Sequence, residues 1–130
     1  MNPIRMAAVA TVTVALVLYT IGTLREQHTR AATAGARGFL TAGLAFDVLA
    51  TALMLRATGR FAPTLHGWLG YSALAAMAVD VALLWRHWRR HGGSPLGAAQ
   101  HRYARLAYGY WVLAYLAGAA LVMATRHAPR

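Results

Sequence analysis

The stretch LHGWLGYSALAAMAVDVALLWRHWRRH (Leu65–His91) decides the fold class of this chain. It holds an apolar run of about 20 residues, the length that crosses the roughly 30 Å hydrocarbon core of a bilayer. A basic and aromatic segment follows the run, as is typical of the boundary between lipid and water. Asp80 lies inside the run, where an acid costs roughly 2.5–3.5 kcal/mol on insertion scales. The stretch therefore predicts a transmembrane helix in which Asp80 is either solvated by other groups or kept for a function.

The composition of the 130-residue chain indicates an integral membrane protein. It is 58% hydrophobic and 12% charged, with a mean hydropathy of +0.42, whereas soluble domains carry about 25% charged residues. All thirteen basic residues are arginines, and the net charge is +10. Because the arginines lie at the ends of apolar runs, they predict topology signals and lipid-headgroup contacts, and no nucleic-acid binding. The absence of cysteine excludes disulfides, thiolate metal sites and cysteine nucleophiles.

Four apolar runs divide the chain into spans of about 4–24, 37–56, 66–86 and 103–124. The first run is too long for the core of a cleaved signal peptide, so we interpret it as a retained helix. Since every connecting loop is short, neighbouring helices are expected to be antiparallel. The prediction is an all-α integral membrane protein, a single transmembrane domain over 1–130 that forms an up-down-up-down four-helix bundle.

The arginines also predict an orientation. Eight lie in or beside the first and third loops and five lie on the opposite side, so the positive-inside rule places those loops in the cytoplasm and both termini outside. The alanine-rich, lysine-free composition is typical of a bacterium with a GC-rich genome. We therefore expect a multi-pass protein of the bacterial inner (cytoplasmic) membrane, in contact with the lipid bilayer and acting as a homodimer or as a subunit of a membrane complex.

Two aspartates lie on stripes that recur at steps of three and four residues, the spacing of one helix face. The second span has Gly43, Asp47, Ala50 and Met54; the third has His66, Gly70, Ala73, Met77, Asp80 and Leu84. Counted from the flanking arginines at 1.5 Å per residue, the two carboxyl groups lie about 15 Å and about 9 Å deep.

Stripes that face the bundle interior would bring both acids into one polar pocket, together with Tyr108, Tyr110 or Tyr115. Two neighbouring carboxylates in a low dielectric cannot both stay ionised. The pattern thus predicts a proton or cation site formed by Asp47, Asp80, Tyr108 and Tyr115. The alternative is that each acid is protonated, or hydrogen-bonded within a packed bundle, and has no further role.

Among the six histidines, His66 and His101 each begin a span. His66 lies on the stripe of the third span, and in the fourth span His101, Tyr108 and Tyr115 repeat every seven residues. Because their helices run in opposite directions, the two residues are expected on opposite sides of the membrane. The chain offers no recognised metal-ligand spacing and no nucleophile–base set, so a metal site is not predicted and an enzyme is the weaker expectation.

Four segments carry a resemblance to a known family. They are ALVLYTIG (residues 15–22), FLTAGLAFDVLATALM (39–54), LHGWLGY (65–71) and HRYARLAYGYWVLAYLAG (101–118). Together they make the chain resemble the small bacterial HsmA-like family of four-span membrane proteins, whose suggested links are to tolerance of salt and metal stress. The resemblance implies that Asp47, His66 and His101 are family-pattern positions.

The family pattern has a histidine where this chain has Asp80. A histidine pair fourteen residues apart on one transmembrane helix is the spacing of b-type cytochromes that hold two haems, so the resemblance raises haem b as an alternative cofactor. Asp80 cannot supply an imidazole, which puts one haem layer in doubt. A haem near the outer face could use His66 with Met54 or Met123. On the inner face, His101 could pair with His87 or His28.

Three hypotheses follow from these patterns. The first is a small protein of proton- or cation-linked transport or stress tolerance that uses its intramembrane carboxylates, with aromatic side chains of the fourth span available for cation–π contacts. The second is a b-type haem protein of membrane electron transfer. The third is an accessory subunit of a larger membrane complex. The paired intramembrane carboxylates favour the first.

Overall fold

Four helices account for most of the chain: α1 (Pro3–Thr29), α2 (Ala34–Thr58), α3 (Leu65–His91) and α4 (Ala98–His127). The computed structural model describes residues 3–58 and 65–127, apart from the side chains of residues 58, 65–66 and 121–127. α1 packs mainly on α2 and α3 mainly on α4, and the contacts of α2 with α3 and of α1 with α4 close the ring. This arrangement confirms the predicted all-α, up-down-up-down bundle.

Each helix turns one narrow stripe toward the interior. The buried positions follow steps of three and four residues, the pattern by which nearly antiparallel helices interlock. On α3 they are Ala73, Met77, Asp80, Val81 and Leu84, so the predicted stripe is confirmed from Ala73 to Leu84. Gly70 is only half-buried, and the side chain of His66 lies outside the described residues. On α2 the predicted stripe is right for Gly43, Asp47 and Ala50 but wrong for Met54, which is 39% exposed because the stripe ends at Ala50.

The outer surface of the bundle is apolar while its interior holds acids. Large side chains such as Leu24, Leu106 and Leu113 are more than half exposed. A protein in water would bury such side chains and expose its acids, so the distribution fits a bundle surrounded by lipid. Among the described residues, three helices are long and apolar enough to cross a membrane: Pro3–Thr29, Ala34–Ala57 and Gly67–His91. Three predicted spans are thus supported, and the fourth, 103–124, stays a prediction.

Glycines bring α1 and α2 into close contact. A Cβ added at Gly22 would lie 2.9 Å from the backbone nitrogen of Leu40, and one added at Gly43 would lie 2.6 Å from Cδ1 of Tyr19. Small residues at helix interfaces are how membrane helices approach closely, because packing drives their association. Gly43 therefore sets the position of the Tyr19 ring.

The helices run past the predicted spans. The sequence places 25–36 in a polar connection, yet α1 continues to Thr29, so Glu26 lies on a helix and not in a loop. Polarity does not end a helix; a residue in the left-handed region does. Arg30 has φ 53° and Gly92 has φ 58°. Their backbone N–H groups donate to the carbonyls of Glu26 and Trp88 at 2.7 and 2.8 Å, which closes the ends of α1 and α3.

The first and third loops meet at one end of the bundle. The backbone N–H of Leu96 donates to the carbonyl of Arg30 at 2.7 Å, and Ala31 forms a single antiparallel bridge with Pro95. At the start of α2, the Thr33 hydroxyl accepts from the N–H of Ala36 at 3.2 Å, a typical N-cap. The two loops therefore form one ordered layer, which we call the loop end.

Candidate functional site

All three acidic residues of the chain are buried in the bundle. Glu26, Asp47 and Asp80 are 0%, 5% and 2% exposed, and the sequence has no other acid. Thirteen arginines are present, yet within the described part of the chain the single ion pair joins Glu26 to His101. A buried carboxylate is costly without a counter-ion. The burial of these acids away from the arginines therefore indicates a functional role.

Asp47 lies where α1, α2 and α4 meet. Its Oδ2 atom accepts two hydrogen bonds, one from the Tyr19 hydroxyl at 2.9 Å and one from the Trp111 ring N–H at 2.8 Å. The two aromatic rings stand edge to face with their centroids 4.9 Å apart, a favourable geometry for such a pair. Asp47 is therefore fixed by donors from two other helices.

Asp80, on α3, has a different environment. Its Oδ2 atom is buried and has no hydrogen-bond partner, and its neighbours on the α3 stripe are the apolar Met77 and Leu84. The carboxyl group lies within electrostatic range of Glu26 and of the Tyr19 hydroxyl. The hydroxyl of Tyr103 also lies within electrostatic range of Asp80, but it donates its hydrogen bond to the carbonyl of Ala76 at 2.8 Å. Asp80 is thus a buried carboxyl group with one oxygen unused.

Glu26 is a site residue that falls between the first two predicted spans. Its Oε1 atom lies 3.0 Å from Nδ1 of His101, and its Oε2 atom accepts from the Gln27 amide at 2.6 Å. The same amide donates to the His101 carbonyl at 3.1 Å. A signal was present, because Tyr19, Gly22 and Glu26 are buried on α1 at the same steps of three and four residues that predicted the other stripes.

These groups form a polar column inside the bundle. Along α1, Glu26 lies seven residues from Tyr19, about 10 Å at 1.5 Å per residue. Thr23 lies between them, 4% exposed, and its hydroxyl has no partner. At the loop end, His101 lines an open pocket of about 360 Å³. The column thus leads from this pocket through His101 and Glu26 toward Tyr19 and Asp47, with Asp80 within electrostatic range of both ends.

The predicted tyrosines are not brought to the carboxyl groups. Instead, their hydroxyls bond to the neighbouring helices: Tyr108 to Thr20 at 2.6 Å, Tyr110 to Ser72 at 2.5 Å and Tyr115 to Thr13 at 3.2 Å. His101, Tyr108 and Tyr115, spaced seven residues apart on α4, are each only half-buried. The buried aromatic residue of α4 is Trp111. Tyr19 and Trp111 take the place predicted for Tyr108 and Tyr115.

Two of the histidines predicted as haem ligands contact other groups in the described structure. Nδ1 of His101 faces Glu26, and Nε2 of His87 lies 2.8 Å from the carbonyl of Ser94 with its ring 5.1 Å from that of His91. Met54 lies on an exposed position. The side chains of His66 and Met123 lie outside the described residues.

Within the described part of the chain, no three His, Asp or Glu side chains are grouped as metal ligands. Haem ligation by His101 with His87 or His28 is a separate question from such a cluster, and it stays a prediction. A comparison with known proteins adds no further assignment: no family model, no curated protein and no solved structure matches the chain. The resemblance to the HsmA-like family likewise stays a prediction.

Proposed function

We propose that this chain is a small membrane protein that takes up and transfers protons within its helical bundle, as the core of proton-linked transport. Asp80 is the proton carrier of this proposal. The observation that carries it is the buried, unpartnered Oδ2 atom of Asp80 in a bundle that keeps its three acids inside, while none of the arginine side chains in the described residues is buried. Intramembrane carboxyl groups placed in this way are typical of proton relays.

A proton is a better cargo for this site than a metal cation. Ca²⁺ takes six to eight oxygen ligands and Mg²⁺ requires octahedral coordination, whereas the described residues group no three acidic or histidine side chains. One carboxyl group is enough to bind a proton. Protonation also removes the cost of keeping an unpaired carboxylate in a medium of low dielectric constant, so the neutral form of Asp80 suits its apolar neighbours.

In this proposal each group of the polar column has a role. His101 and Glu26, 3.0 Å apart at the loop end, exchange protons with the aqueous pocket. Asp80 carries the proton between Glu26 and the middle of the bundle. Asp47 is held by Tyr19 and Trp111 and supplies a fixed acceptor there. The proposal places the protein in the bacterial cytoplasmic membrane with its termini outside, and a homodimer would complete the path.

Proton flux into proteoliposomes tests the proposal. The protein is reconstituted with a pH-sensitive dye inside, and a potassium diffusion potential drives proton entry. We expect Asp80→Asn to abolish the flux, because an amide neither takes up nor releases a proton near neutral pH. Asp47→Asn should also lower it. Tyr115→Phe is the matched control, since its hydroxyl bonds to Thr13 outside the column, and it should keep the flux of the unmodified protein. Unchanged flux in both aspartate variants would refute the proposal.

A further inference from the structure

The open pocket at the loop end is lined with cationic groups from three segments of the chain. Arg30 comes from the first loop, Leu96 from the third loop, and Ala98, His101, Arg102 and Arg105 from the start of α4. The lining contains no acid, because the three acids of the chain are all in the bundle interior. A volume of about 360 Å³ admits a group of the size of a phosphodiester.

The backbone holds this pocket in shape without a ligand. The hydrogen bond from Leu96 to the Arg30 carbonyl and the bridge between Ala31 and Pro95 lock the two loops together. The first turn of α4 carries no acidic residue, so its backbone N–H groups and the positive end of the helix dipole remain available to an anion. Arginines and a helix N-terminus on one pocket favour a phosphate group.

An apolar track continues from the arginines along α4. Arg102, Leu106, Gly109, Leu113 and Leu116 follow at steps of four and three residues, so they share one face of the helix. The three leucines are 63%, 66% and 54% exposed, and the space around Gly109 is open to 4 Å. The gap at Gly109 between exposed leucines makes this face a shallow groove that fits an acyl chain. The groove begins at Arg102, which also lines the cationic pocket.

We infer that the pocket and the groove together form a binding site for one anionic phospholipid. The phosphate lies among Arg30, Arg102 and Arg105, and an acyl chain lies along Leu106, Gly109 and Leu113. Charge complementarity selects an anionic headgroup over a zwitterionic one, and the groove selects a lipid over a free anion. A second basic patch is formed by Arg86, Arg89 and Arg90 beside Trp85. All its lining residues belong to α3, so it does not combine two loops with the start of a helix as the first pocket does.

Native mass spectrometry of the full-length protein in nonionic detergent tests this site, because it counts bound lipids and protein copies together. The protein is titrated with dioleoyl phosphatidylglycerol, with dioleoyl phosphatidylcholine and with inorganic phosphate. We expect one tightly bound phosphatidylglycerol, weaker phosphatidylcholine, and no displacement by phosphate. Each arginine near an anionic headgroup is worth about fivefold in affinity, so R102Q/R105Q should lower the affinity for phosphatidylglycerol about 25-fold.

The matched control is R5Q/R56Q, which removes two exposed arginines far along the sequence from the pocket and changes the net charge equally. It should leave the affinity unchanged. All substituted side chains are exposed, and circular dichroism checks that each variant keeps its helices. Equal losses in both double variants, equal binding of the two lipids, displacement by inorganic phosphate, or a dimer that excludes lipid from α4 would each overturn the inference. Proton flux is measured separately in proteoliposomes with the aspartate variants, which leave the arginines of the pocket unchanged, so failure of one proposal is distinguishable from failure of the other.

Discussion

Gly43→Ala is a direct test of the geometry that holds Asp47. An added Cβ would lie 2.6 Å from Cδ1 and 3.0 Å from Cε1 of Tyr19, closer than carbon atoms pack. The Tyr19 ring is fully buried, edge to face with Trp111 and bonded to Asp47. It cannot move away from the new methyl group without disturbing one of these contacts.

The magnitude follows from three contributions. Overpacking in a buried interface costs about 1–3 kcal/mol. Loss of a hydrogen bond to a charged group adds about 1.5–3 kcal/mol. Replacing a helical glycine by alanine returns about 0.5–1 kcal/mol. We therefore expect Gly43→Ala to lower the free energy of unfolding by about 1.5–5.5 kcal/mol.

Gly38→Ala on the same helix is the matched control. No atom lies within 4 Å of a Cβ added at Gly38, so this variant should gain about 0.5–1 kcal/mol from helix propensity alone. Both variants are unfolded with increasing dodecyl sulfate in mixed micelles, and helicity is followed by circular dichroism. The two substitutions are chemically identical, so the opposite signs isolate the contact with Tyr19.

The Tyr19→Ala background completes the cycle, since without the ring Gly43→Ala meets no obstacle and should stabilise like Gly38→Ala. Equal effects of Gly43→Ala and Gly38→Ala in the unmodified background would refute the close contact of α1 and α2. A penalty for Gly43→Ala that persists in Tyr19→Ala would show that a group other than the tyrosine causes it.

Two further substitutions test the buried groups by the same unfolding measurement. Tyr19→Phe should lower the free energy of unfolding by about 1.5–3 kcal/mol, because it removes a hydrogen-bond donor to the Asp47 carboxylate. Tyr108→Phe loses only a neutral hydrogen bond to Thr20 and should cost about 0.5–1.5 kcal/mol. Equal losses in the two variants would contradict the role of Asp47 as a charged acceptor. Asp80→Val should raise the free energy of unfolding by about 1–3 kcal/mol, since it removes a buried polar atom that has no partner, and should abolish proton flux; a destabilised variant would show that Asp80 serves packing.

The spacing of apolar residues was enough to predict the helices and their inward stripes. In a bundle of long helices each residue contacts mostly its own helix and one face of a neighbouring helix. Residues that recur at steps of three and four therefore lie on the buried face. Asp47 and Asp80 were predicted as interior groups for this reason, and both are buried. The positions of the helix ends were harder to predict, because the ends of α1 and α3 depend on the backbone conformation of Arg30 and Gly92 and not on polarity.

The partners of the acids depended on the tertiary structure. Composition and spacing favoured Tyr108 and Tyr115, yet their hydroxyls bond to Thr20 and Thr13, while Tyr19 and Trp111 bond to Asp47. Which aromatic side chain reaches a carboxylate depends on the rotation of each helix about its axis and on the relative height of the helices, and no single helix encodes either. Gly43 illustrates this, since it matters only through the ring of α1 that lies against it.

The sequence by itself determined the class of the protein, its four helices and the burial of two carboxyl groups, because these follow from apolar length and period alone. Only the tertiary structure decided that Glu26 is a third interior acid paired with His101, that one oxygen of Asp80 has no partner, and that three segments of the chain form one cationic pocket. Each of these depends on contacts between residues far apart in sequence, which packing of the whole bundle brings within a few ångströms.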